Sequence, residues 1–340
     1  MDLTRRNKAT IWALAGACLL TVAISSAGAF GAVQGTVRKA APSWLSLFSV
    51  TMKSDGSIYI VGSKALFMVS TDHGKIWLQR TLPERPGSTL FQDRDLYSIR
   101  FTADGKTGWI CGEEGIILHT TDGGETWARQ ESTVKSNLFK LYVVDDKTAY
   151  AVGANATALR TVDGGDHWQS AKIPKAIDLF DITFSDKNTG WAVGEFSTVL
   201  KTTDGGQTWL VQSGGNMGEY TIGPFFTITF TDPQHGIAAG LSGDLATTSD
   251  GGNTWQPAKL PDSSATYTVT EDTANKKLWA GGTGGKMFGQ NAGGQWQEVK
   301  QVTFRDITDI AFVGNEGVAV GLNGTILLTS NAGEQWQAVE

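Results

Sequence analysis

Cysteine and histidine are scarce in this 340-residue chain, with two of the first and four of the second. Cys18 falls in an apolar N-terminal run that reads as an export segment, so Cys111 is left without an intramolecular partner. A disulfide framework is therefore excluded, and stability must come from packing. His73, His119, His167 and His235 lack the His-x-x-x-His spacing of a metal site, and Cys111 stands alone in a strand pattern, so no metal or other cofactor is expected. Charge is also low, at 18% of residues, and its balance of -6 supplies no extended basic surface to displace counterions from nucleic acid. A nucleic-acid partner is disfavoured on that ground. What the chain does have is 42 glycines and 12 tryptophans within 40% hydrophobic residues, a composition that buries a core and points to one large all-β domain.

The N-terminus is read separately from the fold. Arg5, Arg6 and Lys8 precede an apolar run from Ala9 to Ile24, and Ser25-Ser26-Ala27-Gly28-Ala29 then supplies a small-residue site for cleavage before Phe30. Residues 1–29 are thus expected to be a signal peptide, which places the body outside the cytoplasm in a periplasmic, lumenal or extracellular space. The alternative is an uncleaved anchor, because the apolar stretch can be continued to Val33. Cleavage would remove Asp2, Arg5, Arg6 and Lys8 and take the net charge from -6 to -8. Residues 30–42 are expected to be a linker, with Val33 to Lys39 available as an added edge strand.

From Ser43 onward the chain aligns with itself seven times. A box of the form Ser/Thr-x-Asp-x-Gly-x-x-Trp recurs around Asp72, Asp122, Asp163, Asp204 and Asp250, and in altered form around Asn291 and Asn331. The box tryptophans are separated by 50, 41, 41, 46, 41 and 40 residues, and a period near 41 is the size of one four-stranded propeller blade. A glycine precedes every box (Gly62, Gly112, Gly153, Gly194, Gly240, Gly282 and Gly321), and three residues before it stands Tyr59, Trp109, Tyr150, Trp191, Ile237, Trp279 or Val318. Alternating segments such as Tyr97-Ile99-Phe101 and Phe180-Ile182-Phe184 lie further upstream and predict strands. One unit reads as strands at Leu96 to Phe101, Gly108 to Gly112, Ile116 to Thr121 and Glu125 to Gln130. Residues 43–340 are therefore expected to form a seven-bladed β-propeller of four-stranded blades, with each box as the turn between third and fourth strands. In that place its Asp is a structural residue that accepts local backbone hydrogen bonds, and its Gly allows positive φ.

The linked arrangement in Gly190-Trp191-Ala192-Val193-Gly194 and Thr198-Val199-Leu200-Lys201-Thr202-Thr203-Asp204-Gly205-Gly206-Gln207-Thr208-Trp209 resembles the repeat of the photosystem II stability and assembly factor propellers. Gly108 to Trp127 carries the same arrangement, and the resemblance extends from about Ser43 to Glu340. It implies a non-enzymatic lumenal or periplasmic propeller that binds a membrane-protein assembly intermediate. The basic patch with which the family contacts its client lies outside the repeat motif, so none of its residues can be placed here. Asp boxes alone are also shared with sialidases, sortilin-type receptors and some glycanases, which leaves a glycan hydrolase and a cell-envelope scaffold as alternatives.

Catalytic residues are not evident. The mature chain has eight arginines, no Arg-Ile-Pro precedes the first box, and Glu113-Glu114 falls in a tight turn where neighbouring carboxylates are usually solvated. Charged residues on the first strands, Arg100, Lys140, Asp181 and Asp309, are expected near the axis, with Lys140 pairing to Asp181 on the next blade; the alternative is a polar mouth that binds a small ligand. Two repeats exceed the period through Pro83 to Asp95 and Gln212 to Pro224, on the face opposite the boxes. Arginine and aromatic anchors there, Arg85, Phe91, Arg94 and Tyr220 together with Arg100, are the candidate contacts for a protein partner of a monomeric propeller.

Overall fold

The computed structural model describes residues 35–82, 93–212 and 223–339. Seven antiparallel sheets follow one another in sequence, and each takes its four strands from consecutive segments. Blade four is representative: Leu179–Phe184, Gly190–Gly194, Val199–Thr202 and Leu210–Val211 pair in that order from the axis outward. The first strands touch their neighbours around the whole ring, blade one against blade seven included. This is a seven-bladed β-propeller, and its ring closes without exchanging a strand. Helical geometry among the described residues is confined to 3-10 turns such as Glu113–Gly115. The segment read as a linker contributes Gly35–Arg38, which pairs with Trp77–Arg80 as a fifth, outermost strand of blade one.

In blade two, the first two strands coincide with their expected limits, whereas the third is Ile117–Thr120 and the fourth begins only at Ala128. Glu125, Thr126 and Trp127 belong to the turn instead, because Asp122 Oδ1 accepts the Thr126 N–H at 2.9 Å and holds that segment back from the ladder. The box hydroxyl completes the knot. Thr120 Oγ1 donates to Asp122 Oδ1 at 2.7 Å and accepts the Gly124 N–H at 2.9 Å. The same pattern is built around Asp72, Asp163, Asp204, Asp250 and Asn331. Around Asn291 it is not. Gly289 replaces the hydroxyl residue, Asn291 Oδ1 takes the N–H groups of Gly293 and Gln295, and the left-handed residue moves to Gly294.

The hydrophobic core lies between blades, in seven clusters that each draw on two neighbours. Its organising unit is an aromatic triad. Trp191 of blade four stacks on Phe230 of blade five at 3.6 Å, and Phe230 meets the box tryptophan Trp255 edge-on at 6.0 Å. Tyr59–Phe101–Trp127, Tyr150–Phe184–Trp209 and Trp279–Phe312–Trp336 repeat the motif at three other seams. The first ring lies beneath the box glycine of the next blade, so a Cβ on Gly252 would fall 2.4 Å from the Trp191 indole. Burial of rings on this scale makes a large apolar contribution to the packing between blades, and Cys111, the cysteine among the described residues, forms no disulfide.

Candidate functional site

The end of the ring opposite the boxes is shaped by the seven glycines that close the second strands. Each first strand carries a bulge at its second residue; in blade four Leu179 pairs with Gly194 and Asp181 with Val193, leaving Phe180 outside the ladder. The bulge drives the carbonyl before the strand onto the glycine, where a Cβ on Gly194 would lie 2.0 Å from Asp178 O and one on Gly62 would lie 2.1 Å from Ser46 O. Glycine is required there by close approach, and in return the bulged residue is re-aimed. The bulged residues are Phe48, Tyr97, Phe139, Phe180, Phe226, Tyr267 and Thr308. The first six contact one another from blade to blade, with centroids 5.4, 5.6, 5.9, 5.6 and 5.5 Å apart. They form an arc of half-buried rings around the axial mouth. Thr308 leaves the arc open at blade seven, since its hydroxyl donates back to Leu47 O at 2.7 Å.

Below the arc runs a polar ring that ties blade to blade. Ile99 N–H donates to Ser49 Oγ, Leu141 N–H to Ser98 Oγ, Val269 N–H to Thr227 Oγ1, Ile228 N–H to Asp181 and Val50 N–H to Asp309. Lys140 has no acceptor to offer at this position, and the Thr268 hydroxyl is turned to donate to Asp309. At those two seams the following blade supplies its own carboxylate: Ile182 N–H bonds Asp181 Oδ1 at 2.8 Å, and Ile310 N–H bonds Asp309 Oδ1 at 3.1 Å. The expected Lys140–Asp181 pair therefore does not form among the described residues, because Asp181 is already taken by two backbone amides. The axial ion pair is instead Arg100 with Asp309, at 3.2 Å across blade one, with Ser49 between them. Burial opposes the charge of Asp309, but Arg100, Lys140, the Val50 N–H and the Ser49 hydroxyl outweigh it and hold the carboxyl below its ordinary range.

The remaining predicted contacts divide. Arg94 stands at this face, bound to Glu114 at 2.8 Å, while Arg100 lies inside the channel. Arg85, Phe91 and Tyr220 fall outside the described residues. Glu113 is committed to the Asp95 N–H and the Tyr97 hydroxyl. Cys111 is buried, which pushes its thiol pKa up, and its S–H points to Leu138 O. Sequence reasoning missed the aromatic arc. Its signal was present, as an aromatic one residue into six of seven first strands, but it was read only as strand alternation. Also missed were the exposed apolar side chains around this rim, Trp44 at 74%, Phe196 at 66% and Phe304 at 85% exposure. Among the described residues no cluster of His, Cys, Asp and Glu could hold a metal ion, and no helix is long and apolar enough to cross a membrane.

Comparison with known proteins places these features in a family. The model of the photosynthesis system II assembly factor YCF48 family matches residues 37–136, 127–209, 167–222 and 217–338. The photosystem II assembly lipoprotein Ycf48 of Synechococcus sp. (strain CC9902) is 32% identical over 120 residues, which is 33% of this chain and 34% of that protein. The chloroplastic photosystem II stability/assembly factor HCF136 of Oryza sativa subsp. japonica is 31% identical over 74 residues, 21% of this chain and 16% of that protein. The aligned stretches thus span about a third or less of these curated relatives. Among solved structures, YCF48 bound to a D1 peptide superposes with a TM-score of 0.69 at 22% identity, covering 85% of this chain and 94% of the other. YCF48 from Cyanidioschyzon merolae does so with a TM-score of 0.66 at 18% identity, covering 85% and 96%. At such identities the superpositions speak to the fold alone, whereas the family match runs nearly end to end: the chain belongs to the photosystem II assembly factor YCF48 family.

Proposed function

We propose that this protein is an exported, non-enzymatic assembly factor that holds an extended segment of a photosystem II subunit at the axial mouth opposite its Asp boxes. The observation that carries this reading is the arc of six aromatic rings, opened toward the axis by bulges and bordered by Trp44, Phe196 and Phe304. Rigid aromatic side chains offer large contact area at low entropic cost and are favoured anchors for a protein partner. The polar groups beneath them are already committed to the blade-to-blade ring, so affinity comes from the arc and orientation from rim charges such as Arg94. The same commitment argues against hydrolysis, since Asp181, Asp309 and Glu113 each serve a structural hydrogen bond. A relative solved with a D1 peptide supports the choice of client.

The test is titration of a fluorescently labelled D1 peptide, followed by anisotropy. Saturable binding is expected, weakened about tenfold or more in the Phe139→Ala/Phe180→Ala double variant with its circular dichroism retained. Equal affinity in the variant would remove the mouth as the binding site. Fractionation of cells producing the full chain is expected to recover the propeller outside the cytoplasm, and hydrolysis of a fluorogenic sialoside by the purified protein would refute the non-enzymatic reading.

A further inference from the structure

Among the described residues, the exposed tryptophan and phenylalanine side chains, Trp44, Phe196 and Phe304, all lie at the mouth end. Trp44 and Phe304 share one register position, because each stands four residues before the bulged residue of its first strand, Phe48 in blade one and Thr308 in blade seven. Asp93, Lys135, Ala176 and Ser263 hold that place in blades two, three, four and six. The two rings also flank one turn. Leu45 O accepts the Gly324 N–H at 2.7 Å from one side, and the Arg305 guanidinium donates to Asn323 O from the other. This is the side of the mouth at which Thr308 interrupts the aromatic arc.

Single exposed apolar residues are ordinary on a folded surface. Charge and chain entry set this sector apart. Residues 40–46 around Trp44 carry no charge, and Lys300 and Arg305 bracket Phe304 with no acid between them. At the box end the exposed apolar residues are Ile76 and Val162, and both stand beside box carboxylates. Bonds from the His167 N–H and ring lower Asp163 to about 2, and at Asp72 bonds from the Ile76 N–H and the Ser70 hydroxyl outweigh the opposing effect of burial. The box end is therefore anionic at any neutral pH. The chain, in turn, enters the propeller at the mouth end of blade one, where Gly35 pairs with Arg80 at the close of the fourth strand. The sequence just ahead of Gly35 is apolar whether or not residues 1–29 are removed, since Phe30, Ala32 and Val33 follow the expected cleavage point.

We infer that Trp44 and Phe304 seat blades seven and one on the surface of a lipid bilayer, so that the mouth faces the membrane. Exposed aromatic rings partition into the headgroup layer, and Lys300 and Arg305 suit the phosphates beside them. The ionised boxes are repelled by the same phosphates, which fixes the orientation. Two rings supply less apolar area than one acyl chain, so the contact by itself is weak, with half-saturation on the order of 1 mM lipid. It lies outside the six bulged rings and does not depend on their binding a peptide.

The experiment measures amide hydrogen exchange of the full chain by mass spectrometry, with and without vesicles of phosphatidylcholine and phosphatidylglycerol. Exchange in residues 40–46 and 300–305 is expected to slow about threefold or more on vesicles, while the turns holding Ile76 and Val162 keep their solution rates. The Trp44→Ser/Phe304→Ser variant should lose this protection and still bind the D1 peptide with parental affinity in the absence of vesicles. Protection of the box turns instead, or of neither end, would overturn the inference, as would protection that persists in the double variant. Slowing of the two segments by the D1 peptide but not by vesicles would assign the rings to the client and overturn it as well. Because the exchange map of the parent is decisive alone, poor folding of the variant would not spare the inference. Failure of the peptide to bind either protein would defeat the proposed function, whereas protection by vesicles would still support the bilayer contact.

Discussion

Trp191 and Gly194 are three residues apart on one strand, yet they serve opposite ends of the propeller. At the box end, the repeat spends its aromatics on closure: Trp191 is fully buried, stacked on Phe230 and pressed beneath Gly252. At the mouth end, the same repeat uses a glycine to seat a bulge, and the bulge carries Phe180 out toward the axis as a half-buried ring. A repeated aromatic is therefore not evidence of core packing by itself. What decides is whether the backbone register keeps it in the ladder or expels it.

The most severe way to break this comparison is at its pivot. Gly194→Ala would set a methyl group 2.0 Å from Asp178 O, a backbone atom that cannot step aside without losing the bulge. A loss on the order of 5 kcal/mol, enough to prevent cooperative folding, is expected in urea titration. Gly284→Ala supplies the contrast. It has open space around it and only a φ of 67° to resist the change, so a cost of about 1 kcal/mol is expected.

Truncation of the aromatics at the box end should come next. Trp191→Ala removes the first, fully buried ring of a sealed triad and is expected to cost about 4 kcal/mol. Trp296→Ala removes the half-buried tryptophan of the altered sixth box, and about 1–2 kcal/mol is expected. Equal losses in chemical denaturation would mean that the two seams are packed alike. Beneath the mouth, Asp309→Ala strands Arg100 and the Val50 N–H, and a loss of about 3 kcal/mol is expected, measured in the same way.

The box end was legible in the sequence because its interactions are local. Thr120, Asp122, Gly124 and Trp127 lie within eight residues, and their spacing encodes the turn. Even the failure of the sixth box is visible once Gly289 is recognised as a missing hydroxyl. The mouth was legible only in part. The seven glycines marked the register correctly, but the reason for them, a carbonyl arriving from a bulged strand about sixteen residues upstream, is a pairing fact that no local pattern displays. The axial charges illustrate the same limit. Lys140 and Asp181 invited pairing by sign and by blade, whereas the fold assigns Asp181 to two amides because Lys140 cannot accept a hydrogen bond.

The gentlest comparison is between the carboxylate boxes and the amide box of blade seven. In Asp250, hydrogen bonds from the Thr254 hydroxyl and N–H and from the Thr248 hydroxyl lower the pKa to about 2; Asp204 reaches about 2 as well, because similar bonds outweigh the opposing effect of burial. A carboxyl with a depressed folded pKa contributes stability that is fully present above its unfolded value, about 3.9, and that is lost as the pH falls toward 2. The melting temperature should therefore decline between about pH 5 and pH 2 as these boxes take up protons. Asn331 makes the corresponding bonds to Thr329 and Gln335 without a titrating group. An Asp204→Asn/Asp250→Asn variant copies that solution and gives up the second charged oxygen, which in the parent accepts the Thr208 and Thr254 hydroxyls. It should melt a few degrees lower at pH 6 and show a shallower decline toward acid, as read by calorimetry across the pH series. Parallel curves for parent and variant would mean that the box carboxylates hold their turns by shape rather than by charge.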